Sequence, residues 1–185
     1  MTMKEMNDQA MAEIAAVIER IDAGEVESLL QALSTAKRIA CYGVGREGLM
    51  MKALCMRLFH LGLDAHVVGD MTTPPLGSGD LLLVSAGPGR FSTVEALMET
   101  AKAAGATTAC FTAEPAGDCP AAANHRVVLP AQTMAKDEHG PTSLLPMGSL
   151  YEGVQYLAFE YLVLMLRDRL EVTPAAMRAR HTNLE

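Results

Sequence analysis

The sequence has no tryptophan and only four tyrosines and four phenylalanines among its 185 residues. With 13 methionines beside them, that scarcity fits adaptable core and subunit packing rather than a redox or cofactor device. Positive charge is also short. Lys and Arg number 15 against 22 Asp and Glu, a net charge of -7, so no overall positive field exists to draw phosphate backbones or anionic lipid. Nucleic acid is excluded as the expected partner. The opening "MTMKEMNDQAMAEIAAVIER" offers neither a secretory apolar core nor a cleavage site, and no apolar run reaches membrane-spanning length, so the expectation is a cytoplasmic protein without a membrane partner. Cys41, Cys55, Cys110 and Cys119 form no CxxC pair and sit in apolar surroundings, which argues against a zinc site and a disulfide framework. His60, His66, His125 and His139 show no metal-ligand spacing, so no metal is expected.

What is present is a chain half hydrophobic, long enough for one sizeable core and short for two. A single domain over 1–185 is expected, with N-terminal helices in 1–35, a βα core in 36–130, a loop over 131–148, and C-terminal helices and tail in 149–185. Helical spacing of Met6, Ala10, Ile14, Val17 and Ile21, then Val26, Leu29, Leu30 and Leu33, predicts two amphipathic helices broken near Ala23-Gly24. "RIACYGVG" reads as a buried strand running into a glycine turn, and a helical period over Glu47–Leu61 ends at Gly62. Further strands are read in "DAHVVG", "DLLLVS", "TTACFTA" and "HRVVLP", with a helix over about Ser92–Ala104. Five strands too apolar to leave a face in water, separated by helix-length segments, imply an α/β fold with a parallel sheet covered on both sides. Residues 131–148 lack periodicity, and a loop of that length in a compact domain is more often functional than idle. Ser149–Leu170 is apolar nearly all round, which asks for burial on more than one side, as a subunit interface would supply. Thr173-Pro174 then reads as a cap and first turn of a short helix.

Ligands of such sheets bind beyond the carboxyl ends of the strands. Two loops occupy that position. Gly43-Val44-Gly45-Arg46-Glu47-Gly48 opens a helix whose free N–H groups and dipole favour an anion, with Arg46 adding positive charge; equally, the glycines suit a plain tight turn. These residues also spell GxGxxG, with Asp70 beyond the next strand, a pattern compatible with NAD, although the chain has no room for a separate substrate domain. No Walker lysine follows, which disfavours a P-loop ATPase. The second loop, "SAGPGRFST", offers the hydroxyls of Ser85, Ser92 and Thr93, the free backbone of Gly87 and Gly89, and Arg90, while Pro88 removes one N–H. For proton chemistry the candidates are Glu152 and His181. Glu152 lies in the first turns of an apolar helix, where burial would raise its pKa and the helix N-terminus would lower it; a plain dipole partner is the alternative. His181, in a polar tail, reads as a solvated surface histidine.

Taken together, "GVGREGLMMKALCMRLFHLGLDAHVVGDMTTPPL", "LLPMGSLYE" and the terminal "RHTNLE" resemble the 6-phospho-3-hexuloisomerases of the sugar isomerase (SIS) superfamily, from about residue 10 to the end. The resemblance implies a three-layer α-β-α sandwich around a five-stranded sheet of flavodoxin-like order, a homotetramer with sites at subunit interfaces, and no cofactor. The implied activity converts 3-hexulose 6-phosphate to fructose 6-phosphate through a cis-enediol, in the ribulose monophosphate route. It places substrate binding on Gly43, Gly45, Arg46, Thr72 and the neighbouring Thr73 and Pro74, and acid-base chemistry on Glu152 and on His181, the latter donated across an interface. Two departures concern the phosphate. Glu47 stands where the family has serine, a second negative charge that needs Arg46 to pair with it, and the 85–93 loop lacks the family's run of hydroxyls, with Arg90 as the expected replacement donor. An isomerase of another, unphosphorylated or acidic sugar, or a non-catalytic sugar-phosphate-binding SIS protein, remains the alternative.

Overall fold

The five strands β1 (Ile39–Tyr42), β2 (Ala65–Val67), β3 (Leu81–Ser85), β4 (Thr107–Thr112) and β5 (His125–Val128) pair in parallel in the order 2-1-3-4-5. Their helices are α1 (Met3–Ile18), α2 (Ala23–Thr35), α3 (Gly45–Leu61), α4 (Ser92–Ala103), α5 (Asp118–Ala122), α6 (Ser149–Arg169) and α7 (Pro174–Ala179). The computed structural model describes residues 1–136 and 143–184.

Strand β3 shows why the sheet is sandwiched. All five of its residues are buried, and they alternate between faces. Leu81 and Leu83 join Ile39, Cys41, Ala109 and Phe111 against Leu33 of α2, Leu54 and Leu58 of α3, and Val154 and Leu166 of α6. Leu82 and Val84 join Ala40 and Cys110 against Val94, Met98 and Ala101 of α4 and Cys119 of α5. The period-2 alternation of side chains thus feeds two apolar cores, one on each side. Each fully buried leucine contributes about 1.5–3 kcal/mol, and Leu33, Leu58 and Leu83 are completely removed from solvent.

Several boundaries differ from the sequence reading. The first helix pair breaks at 19–22 rather than at Ala23-Gly24, because the Asp22 side chain accepts from the Glu25 N–H and starts α2 at Ala23. Helix α3 begins at Gly45, two residues early. Gly45 takes φ +59, a left-handed value, and a Cβ on Gly48 would lie 2.4 Å from the Gly43 carbonyl oxygen, so the glycines of this turn are needed by the backbone itself. Helix α5 has no counterpart in the sequence reading, since five residues show no period. Within 131–148, residues 134–136 form a 3-10 turn, while His139, Gly140 and Pro141 lie outside the described residues. Thr173 caps α7 with Pro174 in its first turn, as expected. No helix among the described residues is long and apolar enough to cross a membrane.

The connection after β1 passes through α3 on one face, and that after β3 through α4 on the other. The chain directions therefore part between β1 and β3, and a crevice opens at their carboxyl ends.

Candidate active site

That crevice holds a cavity of about 610 Å³ whose wall includes Arg46, Glu47, Phe91, Thr133, Tyr151 and Glu152. Helix termini shape its electrostatics. Helices α1, α2 and α7 start with side-chain caps from Thr2, Asp22 and Thr173. The N-caps of α3, α4 and α6, namely Val44, Phe91 and Gly148, make no side-chain cap hydrogen bond, and all three residues line the cavity. Three helix N-termini thus border one space, and their dipoles favour an anionic ligand there against the charges of Glu47 and Glu152 in the first turns of α3 and α6.

Arg46 and Glu152 meet across the mouth. Arg46 Nη2 lies 3.0 Å from Glu152 Oε2, an ion pair, although the angle leaves that oxygen without a hydrogen bond. The guanidinium also donates to the Ser149 hydroxyl at 2.8 Å and to the Met147 carbonyl at 2.5 Å, tying α3 to the start of α6. Burial pushes the Glu152 carboxyl up to about 6, against the pull of Arg46 and with a further push from the Glu47 charge. Desolvation therefore outweighs the pull of Arg46, and a carboxyl with such a pKa is chemically able to exchange protons near neutral pH.

Glu47 does not pair with Arg46. It turns inward and is buried, its Oε2 accepting from the Ser85 hydroxyl at 2.6 Å and from the Gly87 N–H at 2.9 Å. Burial raises its pKa, and those two bonds oppose the rise. Gln155 Nε2 donates to Ser85 Oγ at 2.8 Å, and the Tyr151 hydroxyl stands 3.3 Å from the same atom. Burial, then the Glu47 charge, lifts the Tyr151 phenol well above its usual range, so a neutral hydroxyl stands beside Ser85 while the residue forms part of the cavity wall.

The remaining expected residues scatter. Gly43 packs against Gly48 beneath the α3 turn, and Gly45 lines the cavity. Gly89 lies against Gly117 and Glu114. Arg90 does not replace the missing donors of its loop: it is exposed and pairs with Glu95 at 3.0 Å and Asp118 at 3.1 Å. Ser92 and Thr93 open α4 on its exposed side. Thr72 lies with Thr73, Lys52 and His66 in a separate depression of about 260 Å³. His181 lines another, of about 450 Å³, with Arg57, Arg178 and His60, its ring centroid 5.4 Å from that of His60. Within one chain, then, Arg46, Glu47 and Glu152 share the cavity and His181 does not. Sequence reasoning missed Tyr151 and Thr133. Tyr151 was legible only as the neighbour of Glu152. Thr133 sits in an aperiodic segment without any signal, yet its hydroxyl is buried at the cavity wall without a hydrogen-bond partner among the described residues.

A 2-1-3-4-5 parallel sheet between two helical layers, with a crevice after β1 and β3, is the flavodoxin-like order, and the structural neighbours narrow it to the sugar isomerase (SIS) fold. No protein-family model matches the chain. It is 39% identical over 174 residues to a 3-hexulose-6-phosphate isomerase of Mycobacterium gastri, covering 94% of this chain and 86% of that one. It is 30% identical over 161 residues to a protein of the same name from Bacillus subtilis, covering 87% of each. A crystal structure of a hypothetical protein from Methanococcus jannaschii, reported as inferring 3-hexulose-6-phosphate isomerase function, superposes with a TM-score of 0.84 at 26% identity, covering 98% of this chain and 99% of that one. The chain belongs to the 3-hexulose-6-phosphate isomerase family and is an enzyme of the sugar-phosphate isomerase class.

Proposed function

We propose that this enzyme interconverts 3-hexulose 6-phosphate and fructose 6-phosphate in the cytoplasm, with Glu152 as the base. The observation that carries this reading is the placement of Glu152: half-buried against Arg46, raised to about 6, and set where three helix N-termini favour a phosphorylated ligand. In the direction of fructose 6-phosphate, the Glu152 carboxylate removes the proton from C2 of the 3-ketose, whose carbonyl is at C3. The electrons form the C2–C3 double bond of a cis-enediol as O3 gains a proton. Return of the carbon proton to C3, with loss of the O2 proton, leaves the carbonyl at C2. No redox partner is needed, and the helix N-termini that border the cavity, together with Arg46, serve the anion.

The oxygen protons need a second group. We assign it to His181 of a neighbouring subunit in a homotetramer. Support comes from the exposed apolar side chains Leu49, Met56 and Phe59 on α3 and Tyr156, Tyr161, Leu164 and Met165 on α6, which leave both helices with apolar surface facing outward. A stable monomer in sedimentation would remove this shared-site arrangement.

A second reading, an SIS isomerase of a different sugar, is favoured by the Glu47 geometry, because the Ser85 hydroxyl and Gly87 N–H are already committed to a carboxylate. The test is a coupled assay in which 3-hexulose 6-phosphate is made in situ and fructose 6-phosphate formation is followed. Turnover is expected from the parent enzyme, and Glu152→Gln is expected to lose on the order of 10²–10⁴-fold. Full turnover in Glu152→Gln refutes the role of that carboxylate; no turnover from the folded parent enzyme moves the assignment to another sugar.

A further inference from the structure

The loop after β3 stands where a parallel sheet presents an anion cradle, yet its donors are not vacant. Both the Ser85 hydroxyl and the Gly87 N–H end on Glu47 Oε2, at 2.6 and 2.9 Å. These are the bonds an incoming phosphate oxygen would accept, already made by an internal carboxylate whose charge-assisted contacts offset part of its burial. The pocket is also full sterically, since a Cβ on Gly87 would lie 2.7 Å from Glu47 Oε1 and 2.9 Å from the Tyr151 ring. Gln155 and Tyr151 brace Ser85 from behind, so the hydroxyl has little freedom to swing to another acceptor.

We infer that Glu47 is a specificity-determining residue: its carboxylate occupies the cradle after β3, excludes a phosphate group from it, and faces the cavity as an acceptor for sugar hydroxyls. Oε1 takes no hydrogen bond from the described residues, and Glu47 forms part of the cavity wall, so an acceptor is what a ligand meets there. An acceptor attracts hydroxyl donors and repels an anion. The phosphate of the substrate is thereby kept out of the loop after β3 and left to the part of the cavity wall that carries Arg46. This inference deepens the proposed function by orienting the substrate, and it rests on that reading's placement of the substrate in this cavity.

The test uses inorganic phosphate, whose binding does not depend on turnover. Calorimetry on the full chain is expected to show phosphate bound at least about tenfold more tightly by Glu47→Ala than by the parent, because two donors are released and a negative charge is removed. Adding Ser85→Ala to Glu47→Ala is expected to cut the gain to about threefold, the part left by the lost charge and the Gly87 N–H, while Ser85→Ala alone leaves the parent affinity unchanged. Should Glu47→Ala fail to fold, Glu47→Gln, which removes the charge in the same volume, is expected to show a smaller gain of about threefold. Unchanged affinity in the folded Glu47 variants overturns the inference, as does a gain that Ser85→Ala leaves undiminished. Gain of an affinity is not an effect that structural damage produces. Hexulose phosphate turnover is measured separately, so a failed substrate assignment is distinguishable from a failed role for Glu47.

Discussion

Arg46→Met removes the cation beside the proposed base and leaves a side chain of comparable reach. At the observed 3.0 Å separation, two unit charges in an effective dielectric of 20 attract by about 5 kcal/mol. The Arg46 side chain, however, is 51% exposed and that of Glu152 17%, so solvent screens the pair heavily, and about 1 kcal/mol is the appropriate scale. At about 1.4 kcal/mol per pKa unit, the loss lifts the Glu152 carboxyl by roughly 0.7 unit. The sign follows from the direction of each contribution: burial already raises the group to about 6, Arg46 opposes that rise, and its removal lets the pKa climb further. A base works only when ionised, so the acid limb of kcat/KM, expected near pH 6 in the parent enzyme, slides to higher pH in the variant. Carbon-13 NMR titration of the Glu152 carboxyl between pH 4.5 and 8.5 reads the same shift without substrate. If the carboxyl titrates at the same or a lower pH in Arg46→Met, the electrostatic account of this pair is wrong.

Two further substitutions probe the cavity wall. Gly87→Ala places a methyl group 2.7 Å from Glu47 Oε1 and 2.9 Å from the Tyr151 ring, so overpacking is expected to cost about 1–3 kcal/mol, read from urea denaturation; an unchanged midpoint would mean the Glu47 carboxylate is free to move aside. Thr133→Val removes a buried hydroxyl that has no hydrogen-bond partner among the described residues, so thermal stability is expected to hold or rise while the substrate KM increases several-fold; a fall of several degrees in Tm with an unchanged KM would show the hydroxyl to be structural rather than a ligand contact.

Much of the architecture follows from local chemistry. Leu81 to Val84 carries apolar residues on both faces, which only a sandwiched parallel strand tolerates, and Thr173-Pro174 spells a helix start through its own side chain and ring. The family was likewise legible from three separated motifs, since each is a contiguous run of residues. Helix α5 and the start of α2 were not, because a five-residue helix has no period and a cap two residues away from a glycine competes with it as a boundary signal.

The sequence by itself placed Arg46 and Glu47 near a crevice, because turns after strands have fixed places in a parallel sheet, whereas Glu152 was marked only by its place in a helix's first turns and by the family resemblance. Which charges pair there was a tertiary decision. Arg46 goes to Glu152, more than a hundred residues away, and Glu47 goes to Ser85 and Gly87 on the neighbouring strand end. The partner of a charge and the pKa of a carboxyl depend on distance and on solvent exclusion, and both are set by how α3, α6 and the loop after β3 pack together. No local pattern encodes them.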